Sequence, residues 1–153
     1  MNILIKPAFA CAVICFIATV FGTTNANAAP KQGLQKSYIG AAVGSLKADV
    51  AFGISGRFSF GDVPFSIRGT SYFADGISIA TGSVTYDLGI AKKTNIYGGV
   101  GGAAATNGTT TVYGGFLLQA GAETAISNNV VIFGDGSFGD GYSIYKVGAG
   151  YSF

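Results

Sequence analysis

From residue 37 to the end of the chain, apolar and polar residues alternate with a period of two. Gly, Asn and Asp interrupt the alternation every 10–16 residues, and no segment keeps apolar residues at helical spacing. The pattern predicts an all-β, up-and-down antiparallel fold. Its eight strands cover residues 37–46, 50–60, 65–74, 77–90, 96–105, 112–126, 130–139 and 142–153. The first and fifth strands are too rich in Gly and Ala for the facing of their side chains to be assigned.

The last hairpin has a register that can be counted from its turn. Asp140-Gly141 is a strong signal for a two-residue turn, because such a turn requires residues that tolerate a positive φ. Counting outward along both strands sets Asp135 directly opposite Lys146, within reach of a salt bridge. We therefore expect an ion pair on one face of this hairpin.

A second hairpin brings two like charges together. The turn at residues 61–64 sets Arg57 directly opposite Arg68 on the same face. Like charges in this position are destabilising unless carboxylates reach them. Asp87 and Glu123 are the candidates, because closure of the sheet into a barrel would bring their strands near.

Six charged side chains fall on the polar face of the predicted strands, together with Ser, Thr and Gly. Three are basic and three acidic, and they are Arg57, Arg68, Asp87, Glu123, Asp135 and Lys146. The chain has only 10% charged and 49% hydrophobic residues, whereas a soluble domain has about 25% charged residues. A barrel accounts for both the low charged fraction and the high hydrophobic fraction. Its apolar face would lie in lipid, and its narrow lumen would hold small residues and paired charges.

The length and number of the strands also fit a membrane. A tilted β-strand spans a bilayer with about 9–11 residues, and an even number of strands closes the sheet without unpaired edges. Aromatic residues cluster near strand ends as interfacial girdles do, with Phe58, Phe60, Phe65, Tyr86, Tyr151 and Phe153 at one end and Phe73, Phe116 and Phe138 at the other. We predict an eight-stranded transmembrane β-barrel over residues 29–153. A soluble lipid-binding barrel with the facing reversed is an alternative.

Residues 1–28 have the features of a cleavable signal peptide. Lys6 precedes an apolar run from Ala8 to Phe21, and Ala26-Asn27-Ala28 has the small-x-small pattern of a cleavage site. The run of about 14 residues is shorter than the roughly 20 that a spanning helix needs, which disfavours an uncleaved anchor. Both cysteines fall in this run, so we expect an exported barrel without a disulfide.

Residue types exclude several chemistries. The chain has no histidine, which excludes His-containing triads, His-ligated zinc and histidine general-base catalysis. The net charge of +2, with scattered basic residues, disfavours nucleic acid as a partner. The glycine-rich run Gly98–Gly102 lacks the Lys-Ser or Lys-Thr of a phosphate-binding loop. We therefore expect no enzymatic activity, no metal site and no cofactor.

Three motifs carry a resemblance to a known class of proteins. The closing segment Tyr145–Phe153 alternates outward apolar residues and ends in an aromatic residue. It resembles the C-terminal signal of bacterial outer-membrane β-barrels, in which Tyr151 and Phe153 match the aromatic positions. Ser37–Gly44 is similar to the first strand, and Gly121-Ala122-Glu123 to the end of the sixth strand, of small eight-stranded barrels. These are the opacity family, outer membrane protein X and the membrane domain of outer membrane protein A.

The resemblance implies a location and partners. It implies insertion into outer-membrane lipid, recognition of the C-terminal strand by the barrel-assembly machinery, and a monomeric protein. Two of the loops expected to face outward are only Asp75-Gly76 and Asp140-Gly141, whereas opacity-type adhesins have long loops. Adhesion is therefore disfavoured.

Two functions remain open from the sequence. The first is a structural role in envelope integrity, or limited surface contact, with a lumen filled by side chains, since eight strands leave room for little else. The second is a small porin-like channel for ions or small solutes, with a water path past Arg57, Arg68 and Asp87. An outer-membrane enzyme acting on lipid is disfavoured, because the serines predicted to face the lumen have no evident base.

Overall fold

The structure, a computed structural model, describes residues 33–46, 49–74, 77–106, 111–139 and 141–153. The predicted signal peptide and the predicted turn residues Asp75, Gly76 and Asp140 lie outside this part of the chain. Its eight strands are β1 (Tyr38–Leu46), β2 (Asp49–Ser59), β3 (Phe65–Ala74), β4 (Ile77–Ala91), β5 (Thr94–Thr106), β6 (Thr111–Ala125), β7 (Val130–Gly139) and β8 (Tyr142–Ser152).

The strands form a closed, up-and-down barrel. Each strand pairs antiparallel with its neighbours in sequence, and β1 pairs with β8 to close the sheet. The predicted fold class and strand order are confirmed. We call the end at which β1 begins and β8 ends the terminal end, and the opposite one the hairpin end. Within the described residues no helix is long and apolar enough to cross a membrane.

The register counted from the turns is also confirmed. Arg57 lies opposite Arg68 across β2 and β3, and Asp135 lies opposite Lys146 across β7 and β8. Gly141 has a φ of 77°, the left-handed conformation that the predicted turn requires. The turn residues therefore set which side chains face each other inside the barrel.

One predicted turn is too long. The polar residues Lys92 to Asn95 were expected to connect two strands, but β5 already begins at Thr94. Thr94 pairs with Ala91 after a bulge in β4, and its hydroxyl bonds to that of Thr124 at 2.8 Å. Asn95 turns its side chain into the lumen and is 2% exposed. In most proteins a polar residue is expected to face solvent, and this expectation led to a turn being predicted at Asn95. In this barrel the interior is the polar side.

The apolar face of the sheet points outward. On β2, Phe52 and Phe58 are 65% and 58% exposed, whereas Arg57 between them is 4% exposed. In the two strands without a predicted facing, Tyr38 and Ala42 of β1 and Tyr97 of β5 point inward. The outward aromatic residues contact each other near the barrel ends, as in the edge-to-face pairs Phe58–Phe60, Phe65–Tyr86 and Phe138–Tyr145.

The lumen contains more large side chains than the sequence predicted. The prediction of small residues and paired charges omitted four inward rings, those of Tyr38, Tyr72, Tyr97 and Phe133. Three of these rings lie on strands directly opposite a glycine, in the pairs Tyr72–Gly53, Tyr97–Gly121 and Phe133–Gly148. A Cβ at Gly148 would lie only 2.4 Å from the Phe133 ring. Glycine therefore leaves the space that each ring fills.

Candidate functional site: the charges of the lumen

Four of the six predicted charges meet near the terminal end of the lumen. Arg57 of β2, Arg68 of β3, Asp87 of β4 and Glu123 of β6 form what we call the charge cluster. Their side chains are 3%, 3%, 6% and 0% exposed. Strand alternation places them inside, and closure of the barrel brings β6 across the lumen from β3. Bulk water therefore has little access to any of the four.

The cluster is a crossed arrangement of two guanidinium groups and two carboxylates. Asp87 accepts from Arg57 Nη2 at 2.7 Å and from Arg68 Nη2 at 2.9 Å. Glu123 accepts from Arg68 Nη1 at 2.7 Å and lies 3.4 Å from Arg57 Nε. Each carboxylate thus offsets both arginines, and the formal charge of the cluster sums to zero. Pairing of this kind is what allows buried charges to be tolerated.

Neutral side chains complete the cluster. Ser66 donates to Asp87 Oδ2 at 2.7 Å, and Asn95 Nδ2 donates to Glu123 Oε1 at 2.8 Å. Arg68 donates from Nη1 to the hydroxyl of Tyr38 at 3.2 Å, and its Cζ lies 3.4 Å from the centre of the Tyr97 ring. Tyr38, Asn95 and Tyr97 were not predicted from the sequence as members of the site. Two lie in strands with little alternation, and Asn95 was assigned to a turn.

The other two predicted charges form a separate pair. Lys146 Nζ lies 3.3 Å from Asp135 Oδ2 and also donates to Thr70 Oγ1 at 2.5 Å. Tyr97 donates to the same carboxylate oxygen at 2.8 Å, while Asp135 Oδ1 is buried and makes no hydrogen bond within the described residues. The Tyr97 ring contacts Arg68, so this one residue connects the pair with the charge cluster.

The lumen also contains buried hydroxyl groups that bond to other side chains, such as Ser83 to Gln119 and Ser55 to Thr70. Within the described residues no group of three or more acidic, His or Cys side chains could hold a metal. The arrangement is suited to filling the lumen and tying strands together across it.

The two residues of the predicted assembly signal lie outside the lumen. Tyr151 and Phe153 are 59% and 67% exposed at the terminal end, on the outer face of β8 and just beyond it. The hydroxyl of Tyr151 accepts from Asn129 at 3.3 Å, and the Phe153 amide donates to the carbonyl of Ser37 at 3.0 Å. Their side chains are accessible, and their recognition by an assembly machinery stays a prediction.

Solved structures of other proteins share the fold of this chain, although no sequence relative was found. No protein-family model matches the chain, and no curated protein matches it in sequence. Among solved structures, a de novo designed transmembrane β-barrel has a TM-score of 0.65 at 12% identity, over 80% of this chain and 99% of the other. The N-terminal β-barrel domain of Pseudomonas aeruginosa OprF has a TM-score of 0.59 at 18% identity, over 80% and 100%.

A third structure comes from a protein in lipid. The Yersinia pestis outer membrane protein Ail, in a phospholipid bilayer nanodisc, has a TM-score of 0.55 at 15% identity, over 78% of this chain and 99% of the other. Identities this low show the fold alone. The chain has the fold of the small eight-stranded transmembrane β-barrels.

Proposed function

We propose that this protein is an integral outer-membrane barrel with a sealed lumen, and that it supports the envelope or makes limited surface contacts. The observation that carries the proposal is the charge cluster, because Arg68 reaches across the lumen to Glu123 with both side chains 3% or less exposed. Eight strands leave an interior just wide enough for side chains to fill, so we expect no water column at this level. The proposal includes no catalytic activity.

Placement in a membrane is supported by the outer surface. Large apolar side chains are exposed on the outward faces of the barrel strands, among them Phe52 at 65%, Phe73 at 55% and Val147 at 66%. Contiguous apolar surface of this kind is rare on soluble monomers. The fold likeness to an outer membrane protein studied in a lipid bilayer supports the same location.

The sealed lumen can be tested by single-channel recording in planar bilayers. We expect the parent protein to give no discrete current steps, and the double variant Arg68→Ala/Glu123→Ala to give them, because it removes the contact across the lumen. Ser71→Ala, on the outward face of β3, is the matched control and should stay silent. Insertion of each sample is checked by its mobility shift on heating in SDS. Steps from the parent protein would contradict the proposal.

A small channel is the second candidate, and one observation favours it. The lumen between the charge cluster and the hairpin end is lined by buried hydroxyl side chains, which are compatible with water: Ser55, Thr70, Thr81, Ser83 and Ser137. If the lumen conducts, Arg57→Ala or Arg68→Ala should lower its preference for anions, because each removes a positive charge. Unchanged ion selectivity in both variants would count against this candidate.

We further propose that the last strand is read by the barrel-assembly machinery and that the barrel is a monomer. The six lumen charges are paired within one chain, so no second copy is needed to satisfy them. Phe153→Ala should lower the fraction of heat-shifting protein in the outer membrane. Phe60→Ala, another exposed phenylalanine at the same end, should leave that fraction unchanged. Equal losses in the two variants would contradict a specific signal.

A further inference from the structure

The described chain begins with a short segment that belongs to no strand. Residues Gly33–Ser37 precede β1 and lie at the terminal end of the barrel. The Leu34 side chain is only 6% exposed and packs in an apolar cluster with Tyr38, Val131 and Phe133. An apolar side chain of this segment is therefore inserted into the mouth of the lumen.

Two lumen side chains hold the backbone of this segment. Asn95 accepts from the Leu34 amide at 3.0 Å and donates to the Leu34 carbonyl at 2.8 Å, in the manner of a strand partner. Arg57 donates from Nη1 to the Lys36 carbonyl at 2.8 Å. The segment is thus fixed by side chains from inside the barrel in addition to contacts at the rim, where Lys36 donates to the carbonyl of Asn128 at 3.0 Å.

The same two side chains also take part in the charge cluster, Arg57 as a member and Asn95 as a neutral neighbour. Asn95 Nδ2 donates to Glu123 Oε1 at 2.8 Å as well as to Leu34, and Arg57 donates to Asp87 at 2.7 Å as well as to Lys36. The position of the segment and the position of the carboxylates are therefore set by shared hydrogen-bond donors.

The docked position of the segment requires glycine as its first residue. Gly33 has a φ of 106°, which residues with a Cβ rarely adopt. A Cβ at Gly33 would also lie 2.0 Å from Asn95 Oδ1 and 2.9 Å from Gly89 Cα. Backbone conformation and space both require glycine here.

We propose that Gly33–Ser37 is a lid that closes the terminal end of the lumen over the charge cluster, with its closed position set by Asn95 and Arg57. The lid separates Asp87 and Glu123 from water at that end. Because Asn95 bonds to both Leu34 and Glu123, displacement of Glu123 releases the lid, and opening of the lid frees a donor of the cluster. The lid concerns one end only and does not depend on which of the two proposed functions holds.

The test is the exchange rate of the Leu34 amide hydrogen, measured by NMR on the full chain refolded in lipid nanodiscs. We expect strong protection in the parent protein and exchange at least about tenfold faster in Gly33→Ala, since a lost hydrogen bond of about 1.4 kcal/mol corresponds to that factor. Gly61→Ala is the matched control. Its φ of 70° imposes a similar strain, but nothing lies within 4 Å of the added Cβ.

A second pair of variants tests the side-chain amide of Asn95, which holds the Leu34 backbone. Asn95→Leu should also expose the Leu34 amide, whereas Asn129→Leu, an amide at the same rim that bonds to Tyr151 and Ser152, should not. Even where a variant fails to fold, the exchange rate of the Leu34 amide in the parent protein still tests the lid. A Leu34 amide that exchanges in the parent as fast as an unstructured one would overturn the lid. Conductance of the same samples reports on the sealed lumen separately, so the two proposals can fail independently.

Discussion

The lumen holds its charges in two ways. In the charge cluster, two arginines and two carboxylates from four strands bond crosswise, and Arg68 of β3 reaches Glu123 of β6 on the far wall. In the second set, Asp135 and Lys146 pair across neighbouring strands that the sheet already joins, and one carboxylate oxygen has no hydrogen bond within the described residues. The cluster therefore ties opposite walls together, whereas the ion pair itself adds a local contact.

This difference predicts unequal costs when a carboxylate is removed. Glu123→Leu leaves two buried guanidinium groups with one carboxylate and removes one of the two acceptors of Asn95 Nδ2. We expect it to lower the free energy of unfolding by about 3–5 kcal/mol. The measurement is urea unfolding in lipid vesicles followed by circular dichroism. Glu123→Gln, which keeps an acceptor, should lose less, and a Glu123→Leu loss no greater than that of Asp135→Asn would contradict the comparison.

A smaller loss in the free energy of unfolding is expected when the pair of Asp135 and Lys146 is altered. Asp135→Asn removes the negative charge but keeps an oxygen that accepts from Lys146 and Tyr97. The loss in the same unfolding experiment should be about 1–3 kcal/mol. Lys146 retains its bond to Thr70 in this variant. A loss as large as that of Glu123→Leu would show that the pair, too, holds the barrel together.

Replacing both Asp135 and Lys146 should lower the free energy of unfolding still less. In Asp135→Leu/Lys146→Leu no charge stays buried without a partner, and we expect stability within about 1 kcal/mol of the parent. The single variant Asp135→Leu is the comparison, because it leaves Lys146 unpaired in the lumen. If the double variant is no more stable than this single one, the pair contributes through something other than its charges.

The smallest change in the free energy of unfolding should come from raising the salt concentration. Both sets are buried, with side-chain exposures of 6% or less, and ions screen buried pairs much less than exposed ones. Raising the salt concentration from about 0.1 M to about 1 M should change the unfolding free energy by less than about 0.5 kcal/mol. Strong salt dependence would mean that water and ions reach the lumen charges.

Much of the charge arrangement could be predicted from the sequence. Alternation of period two in β2 and β3 is strong, so the inward placement of Arg57 and Arg68 followed from it. The turn at 61–64 then set the two directly opposite each other, and the need for carboxylates indicated Asp87 and Glu123. Register and charge balance are local quantities that a sequence carries.

What the sequence could not provide depends on the closed barrel. Tyr38 and Tyr97 lie among Gly and Ala, where alternation has no contrast, so their inward facing was not assigned. The Tyr97 ring fits inside because Gly121 opposite it leaves room, and the Tyr38 ring because Gly150, whose Cβ would lie 3.1 Å from Tyr38 Cδ2, is close to it. Asn95 was missed because a polar residue before a strand suggests a turn, and Leu34 because it precedes the first predicted strand. Only the position of the chain inside the lumen shows that both are internal.

We propose that the apolar face of the barrel lies in lipid and that the charges lie inside. The most direct test is the gel mobility of the protein from an outer-membrane fraction, with and without boiling in SDS. We predict a compact band that shifts only on heating, because a closed barrel in SDS keeps its strands paired. Absence of a shift, with the protein recovered from the soluble periplasm, would contradict the claim and put the six charges on the surface.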